Sequence, residues 1–144
     1  MTHQDRGGYS KKYGPGQKPA PSIAEAVKEA GGSGKISCAD AFKTARKLKI
    51  QAREVGVTID LLEIPIIQCQ LGLFGYGPGR KGIKAAETVS PTLKSAIEGA
   101  LVKEKLPCAT AWEIAKKFKL PKKEVASACE TLKIKISSCQ LGTF

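Results

Sequence analysis

Apolar positions recur three and four residues apart in successive stretches of each half of the chain, and then give way to strict alternation. Ile23, Ala26, Val27 and Ala30 mark one helical face, Ala41, Phe42, Ala45 and Leu48 a second, and Val55, Ile59 and Leu62 a third. Ile64 and Ile66, followed by the polar Gln68, fit a strand with one buried side. Leu93, Ala96, Ile97 and Ala100 restart the pattern, Val125, Cys129 and Leu132 give its third helix, and Ile134, Ile136 and Ser138 its strand. The predicted order in each half is helix, short extended piece, helix, tight turn, helix, strand.

The boundaries follow from local chemistry. Ser22 with Glu25 reads as a capping box for the first helix, and Ser90 followed by Pro91 as its counterpart in the second half. Gly31 to Gly34 stops the first helix, and Lys35–Ser37 and Lys105–Pro107 are the extended pieces. The second helix is expected over Ala39–Leu48. Lys49-Ile50 and Lys119-Leu120 make the turns, and the third helix runs from about Gln51 to Leu62.

Displacing the chain by 70 residues overlays Ser22–Phe74 on Thr92–Phe144 without a gap, with roughly a third of positions identical. Cys38 falls on Cys108, Phe42 on Trp112, Glu54-Val55 on Glu124-Val125 and Leu62 on Leu132. The copies close on Cys69-Gln-Leu-Gly-Leu-Phe74 and Cys139-Gln-Leu-Gly-Thr-Phe144. The chain is a tandem duplication, with repeats at 22–74 and 92–144. A shorter echo, Tyr13-Gly-Pro-Gly-Gln-Lys18 and Tyr76-Gly-Pro-Gly-Arg-Lys81, precedes each repeat. Residues 1–21 are expected to form a disordered basic arm, and 75–91 a Gly-rich basic linker that runs into the second repeat.

The element order, with Ala45, Ile50, Val55 and Leu62 spaced as an A…I/V…V…L series, resembles the winged helix-turn-helix superfamily. The fold class expected is therefore mainly α with short β, two winged-helix-like domains in tandem. The Cys-Gln-Leu-Gly-x-Phe ending is similar to small modules associated with molybdenum-enzyme genes in anaerobic bacteria. The resemblance implies nucleic-acid binding in the manner of a DNA-binding transcriptional regulator.

Charge sharpens that expectation. The net charge of +11 comprises +3 on residues 1–21, +1 on 22–74, +2 on 75–91 and +5 on 92–144. Such an excess favours polyanionic partners, with double-stranded DNA the leading one and RNA or an acidic protein the alternatives. Lys116, Lys117, Lys119, Lys122 and Lys123 cluster around the second repeat's helix-turn-helix turn, which in that motif faces the DNA backbone. A solvated lysine face is the plain alternative. Arg80 and Lys81, behind a Gly-Pro-Gly, resemble basic arms that reach a minor groove.

The outward positions of the third helix are Gln51, Arg53, Gly56, Val57 and Asp60 in one copy, and Lys122, Lys123, Ala126, Ser127 and Glu130 in the other. Gln51 and Arg53 are the candidate base readers; the acids there meet phosphate badly. The first repeat is thus also a candidate for protein contact, as an accessory subunit on a larger complex would need.

Catalysis finds no support. The one histidine is His3, and there is no nucleophile beside a base, no P-loop and no dinucleotide fingerprint. The expectation is a non-enzyme with no cofactor. The five cysteines lack the close pairing of zinc sites and read first as small buried hydrophobes. Two further possibilities are noted: Cys38 and Cys69 become neighbours if their strands pair, and a cysteine starting a helix gains a lowered pKa. No run reaches the roughly eighteen apolar residues of a membrane span, and the N-terminus lacks an apolar leader. Both features, with free thiols, predict a cytoplasmic protein.

Overall fold

A computed structural model describes residues 7–77 and 80–144. The first repeat contains α1 (Pro21–Ala30), β1 (Ile36–Ser37), α2 (Cys38–Leu48), α3 (Ala52–Leu61) and β2 (Ile66–Ile67). The second repeats the order as α4 (Pro91–Gly99), β3 (Leu106–Pro107), α5 (Cys108–Phe118), α6 (Lys122–Leu132) and β4 (Ile136–Ser137). The protein is mainly helical, and among the described residues no helix is long and apolar enough to cross a membrane.

Helix starts follow the duplication more closely than the capping-box reading. In α4 the Ser90 hydroxyl accepts the Leu93 N–H at 3.2 Å, as expected. In α1 the helix begins at Pro21, one residue before Ser22, with Ala20 at the cap. Pro21 is the counterpart of Pro91, and its fixed φ and missing N–H suit a first helical turn better than a serine cap placed after it.

All four inner helix ends use one device. Lys49, Glu63, Lys119 and Lys133 adopt left-handed φ values of 56°, 55°, 55° and 58°. The next residue turns back to donate its N–H five residues upstream: Ile50 to Ala45, Ile64 to Ile59, Leu120 to Ala115 and Ile134 to Cys129. This is the Schellman closure, and the apolar residue after the left-handed position folds back over the helix end. The turns Lys49-Ile50 and Lys119-Leu120 owe their pairing of a polar with an apolar residue to it.

The strand after the third helix does not make a wing. It lies parallel to the strand before the second helix, with Ile36 opposite Ile66 and Leu106 opposite Ile136. Left-handed φ at Gln68 and Ser138, 51° and 52°, ends each strand after two residues. The chain then closes a loop in which Cys69 N–H bonds the Phe74 carbonyl at 3.1 Å and Cys139 N–H the Phe144 carbonyl at 3.0 Å. Leu71 and Leu141 drive these loops into the core. Among the described residues, no β-hairpin follows either third helix.

The repeats share one continuous core, and equivalent residues meet across it. Phe42 packs on Trp112 at 4.4 Å between centroids, and Phe74 meets Phe144 edge to face at 6.4 Å. Contact between like positions marks an internal pseudo-twofold axis. Two copies of one apolar patch satisfy each other as the halves of an isologous dimer do.

The arm is ordered over its described part, which corrects the expectation for 1–21; residues 1–6 lie outside the description. Tyr9–Lys12 form a 3₁₀ turn on the C-terminal end of α3, with Tyr9 buried. Glu63 accepts from Tyr9 N at 3.0 Å and Ser10 N at 2.9 Å, while Lys12 and Tyr13 reach Asp60 at 2.9 and 2.8 Å. Composition marks the segment as polar, but four of its polar groups have fixed partners 47 to 54 residues on. Residues 75–91 are likewise packed: Gly82 N–H bonds the Gly72 carbonyl, Tyr76 OH the Cys69 carbonyl, and Ala86 N–H the Ser127 carbonyl.

Hydrogen bonds from Ser10, first its hydroxyl and then its N–H, hold the Glu63 carboxyl below its ordinary pKa. A carboxyl lowered in the folded state adds stability above its unfolded pKa and loses it as pH falls through the folded value. The Ser10 amide resonance should therefore titrate with a midpoint below about 4.3. A midpoint at or above that value would contradict the contact.

Candidate nucleic-acid interface

The α5–α6 turn gathers most of the predicted contacts. Lys116 and Lys117 occupy the last turn of α5, Lys119 its left-handed end, and Lys122 and Lys123 the first turn of α6. Lys116, Lys117, Lys119 and Lys123 are exposed, and Lys122 is half-buried. Lys122 holds its ammonium over the Trp112 ring at 4.5 Å, and Lys123 over Tyr76 at 4.7 Å. The ring quadrupole attracts each cation and restrains it while leaving its hydrogen-bond donors free for an anion. Neither of the ion pairs among the described residues, Lys12–Asp60 and Lys81–Glu130, engages any of the five.

A shallow depression beside this turn joins the repeats. It is lined by Gln68, Gln70 and Tyr76 from the first and its linker, and by Pro121, Lys122 and Lys123 from the second. Sequence reasoning missed Trp112, Tyr76, Gln68 and Gln70 as members of this face. A signal for Trp112 was present, since it is the chain's sole tryptophan and lies on α5 one turn before the lysines. The two glutamines carried none, because only tertiary packing brings them there.

Gln51, Arg53, Arg80 and Lys81 stand apart from that group. Gln51 precedes α3 and its N–H bonds the Glu54 carboxylate at 3.3 Å, so the residue serves as a helix start. Arg53 lies across the second repeat's closing turn, where a Cβ on Gly142 would come within 1.4 Å of its Nη1. Its guanidinium lies against that turn, and the residue remains exposed. Lys81 is paired with Glu130, and Arg80 is exposed in the loop before it.

The faces expected to point outward on the third helices are largely covered. Gly56 is buried beneath the Leu141 carbonyl, and Asp60, 1% exposed, is engaged by Lys12 and Tyr13. Ala126 is buried, Ser127 accepts Ala86, and Glu130 holds Lys81. A recognition helix needs that surface bare to enter a major groove. Here the opposite repeat, the arm and the linker occupy it.

The helix-start cysteines also depart from expectation. Burial pushes the Cys38 thiol up to about 12 and the Cys108 thiol up to about 11, so the helix N-terminus does not produce a reactive thiolate. Burial likewise raises Cys129 to about 11. The strand pairing that would make Cys38 and Cys69 neighbours is present. Among the described residues, no three His, Cys, Asp or Glu side chains are close enough to enclose a single metal ion.

No protein-family model, curated protein or solved structure matches the chain.

Proposed function

We propose that this chain is a non-enzymatic cytoplasmic DNA-binding regulator, built from two helix-turn-helix-like units that lock face to face. It holds duplex DNA through phosphate contacts from Lys116, Lys117, Lys119, Lys122 and Lys123. The carrying observation is that these five cations share one turn, with Lys122 and Lys123 poised on aromatic rings. Such a face gives affinity and steering, because phosphate contacts carry little sequence information. With the outer faces of α3 and α6 covered, base reading falls at most to the exposed Gln68 beside the lysine turn and to Gln51, which stands apart from it.

The covered helix faces favour a second reading, an accessory subunit that docks its lysine surface on an acidic protein. Helix-turn-helix units serve that role as well, since fold does not fix function.

Trp112 is a built-in probe. Adding a random duplex should shift or quench its emission to saturation, and salt should restore it. Structured RNA in place of duplex distinguishes the nucleic acids. A flat response to both would overturn nucleic-acid binding and leave the acidic-protein reading in its place.

A further inference from the structure

Four of the five cysteines occupy two duplicated positions. Cys38 and Cys108 are the first residues of α2 and α5, and Cys69 and Cys139 open the closing loops. Within each repeat the parallel register sets Ser37 beside Ile67 and Pro107 beside Ser137. Cys38 follows its strand by one residue and Cys69 by two, so both emerge at the same end of the small sheet, as do Cys108 and Cys139.

Between repeats, the closing loops face each other. Cys69 and Cys139 are tied by hydrogen bonds to Phe74 and Phe144, whose rings are in contact, and the Leu141 carbonyl lies on Gly56. The electrostatics report the same convergence. After burial, the thiols of Cys69 and Cys139 act on Cys38, the same two act on Cys108, and Cys139 acts on Cys69. Cys129 responds to burial and to Glu130 alone, and stands outside the set.

Burial raises the Cys38, Cys69 and Cys108 thiols, and amide donors directed at the sulfurs oppose it. Gln70 Nε2 lies 3.9 Å from Cys38 Sγ, and Gln140 Nε2 lies 3.5 Å from Cys108 Sγ. Backbone N–H groups of Gln70 and Gln140 also favour the ionised forms of Cys38 and Cys108, and those of Leu73, Leu71 and Gly72 favour ionised Cys69. A cysteine serving only as a core hydrophobe needs no such donors, whereas N–H groups directed at ligand sulfurs are a regular part of iron–sulfur sites.

We infer that Cys38, Cys69, Cys108 and Cys139 together ligate a [4Fe–4S] cluster at the junction of the two repeats. Spacing separates this from zinc. Four thiolates on one tetrahedral zinc sit about 3.8 Å apart, from a Zn–S bond of about 2.3 Å. No three candidate ligands among the described residues are that compact, and no disulfide joins the cysteines. A cubane spreads its four ligand sulfurs over its corners and suits a wider set. The four thiols bind as thiolates and release four protons, and the positive iron core offsets their buried charge. The inference goes beyond the DNA-binding reading and does not depend on it.

The test is anaerobic reconstitution of the full chain with equal amounts of ferrous and ferric iron and with sulfide, which together supply a [4Fe–4S]2+ core without a further oxidant, followed by visible absorption and iron and sulfide analysis. About four iron and four sulfide per chain are expected, with the broad sulfur-to-iron charge-transfer band. Cys69→Ser and Cys108→Ser should each lose most of both, while Cys129→Ser retains them. Far-UV circular dichroism identifies which variants remain folded, and Gln140→Leu, which keeps every cysteine, should bleach faster in air. Failure of the unmodified chain to take up iron and sulfide would overturn the inference. So would equal uptake by folded Cys69→Ser and Cys129→Ser chains, or stoichiometric zinc that iron and sulfide cannot displace.

Discussion

Replacing Gly56 with alanine is expected to destabilise the protein by about 1–3 kcal/mol, the range for forcing extra volume into a packed interior. The sign is the informative part. Glycine inside a helix ordinarily costs about 1 kcal/mol relative to alanine, so on propensity alone the substitution should stabilise α3. A Cβ at this position, however, would lie 1.8 Å from the Leu141 carbonyl oxygen and 2.6 Å from its carbon. Those are backbone atoms of the opposite repeat's closing loop, which cannot swing aside as a side-chain tip can. Gly99, the last residue of α4, is the matched control, because a Cβ there meets nothing within 4 Å. Gly99→Ala should be neutral or slightly stabilising in the same denaturant unfolding series. If Gly56→Ala proved as stable as Gly99→Ala, the repeats would not pack as described.

Replacing Lys116, Lys117, Lys119, Lys122 and Lys123 together with alanine should lower duplex affinity on the order of 10⁴-fold at 0.1 M salt. Each lysine that neutralises a phosphate contributes roughly one power of the salt concentration, or about eightfold at 0.1 M. The five act in parallel because they share one turn and are not spent on carboxylates. Lys122 is the member with a packing role, since its removal uncovers Trp112, so circular dichroism should accompany the binding curves. Replacing Lys28, Lys43 and Lys94, which lie on α1, α2 and α4 and not on the α5–α6 turn, should cost far less. Equal losses in the two variants would mean that net charge, and not this face, provides the affinity.

What the chain makes legible is local. The periodicity of Ala41, Phe42, Ala45 and Leu48 placed α2 to within a residue, and the 70-residue offset carried that placement to α5. Ser90-Pro91 marks the start of α4, whereas Ser22 lies one residue inside α1, whose start is set by Pro21, the counterpart of Pro91. Ile64, Ile66 and Gln68 alternate as any half-buried strand does, and alternation is silent on whether the partner is a following hairpin strand or β1.

The candidate site divides the same way. The lysine cluster was visible because its members are adjacent in sequence around one turn. The covering of Asp60 by Lys12 and Tyr13, and of Gly56 by Leu141, was not. A polar residue on a helix face reads identically whether it meets water or a buried partner. Arg53 shows the consequence: a candidate base reader by type and position, it lies against the second repeat's closing turn. The cysteines were legible as pairs within a copy, but their convergence across the pseudo-twofold axis needed the tertiary fold.

The most direct test of the central claim is fluorescence anisotropy of a labelled random duplex, with the unmodified chain titrated across a series of salt concentrations. Five phosphate contacts predict that log affinity falls against log salt with a slope of about −4.5. The five-lysine variant should bring that slope close to zero. No binding at low salt, or a steep slope unchanged by the five substitutions, would contradict the account.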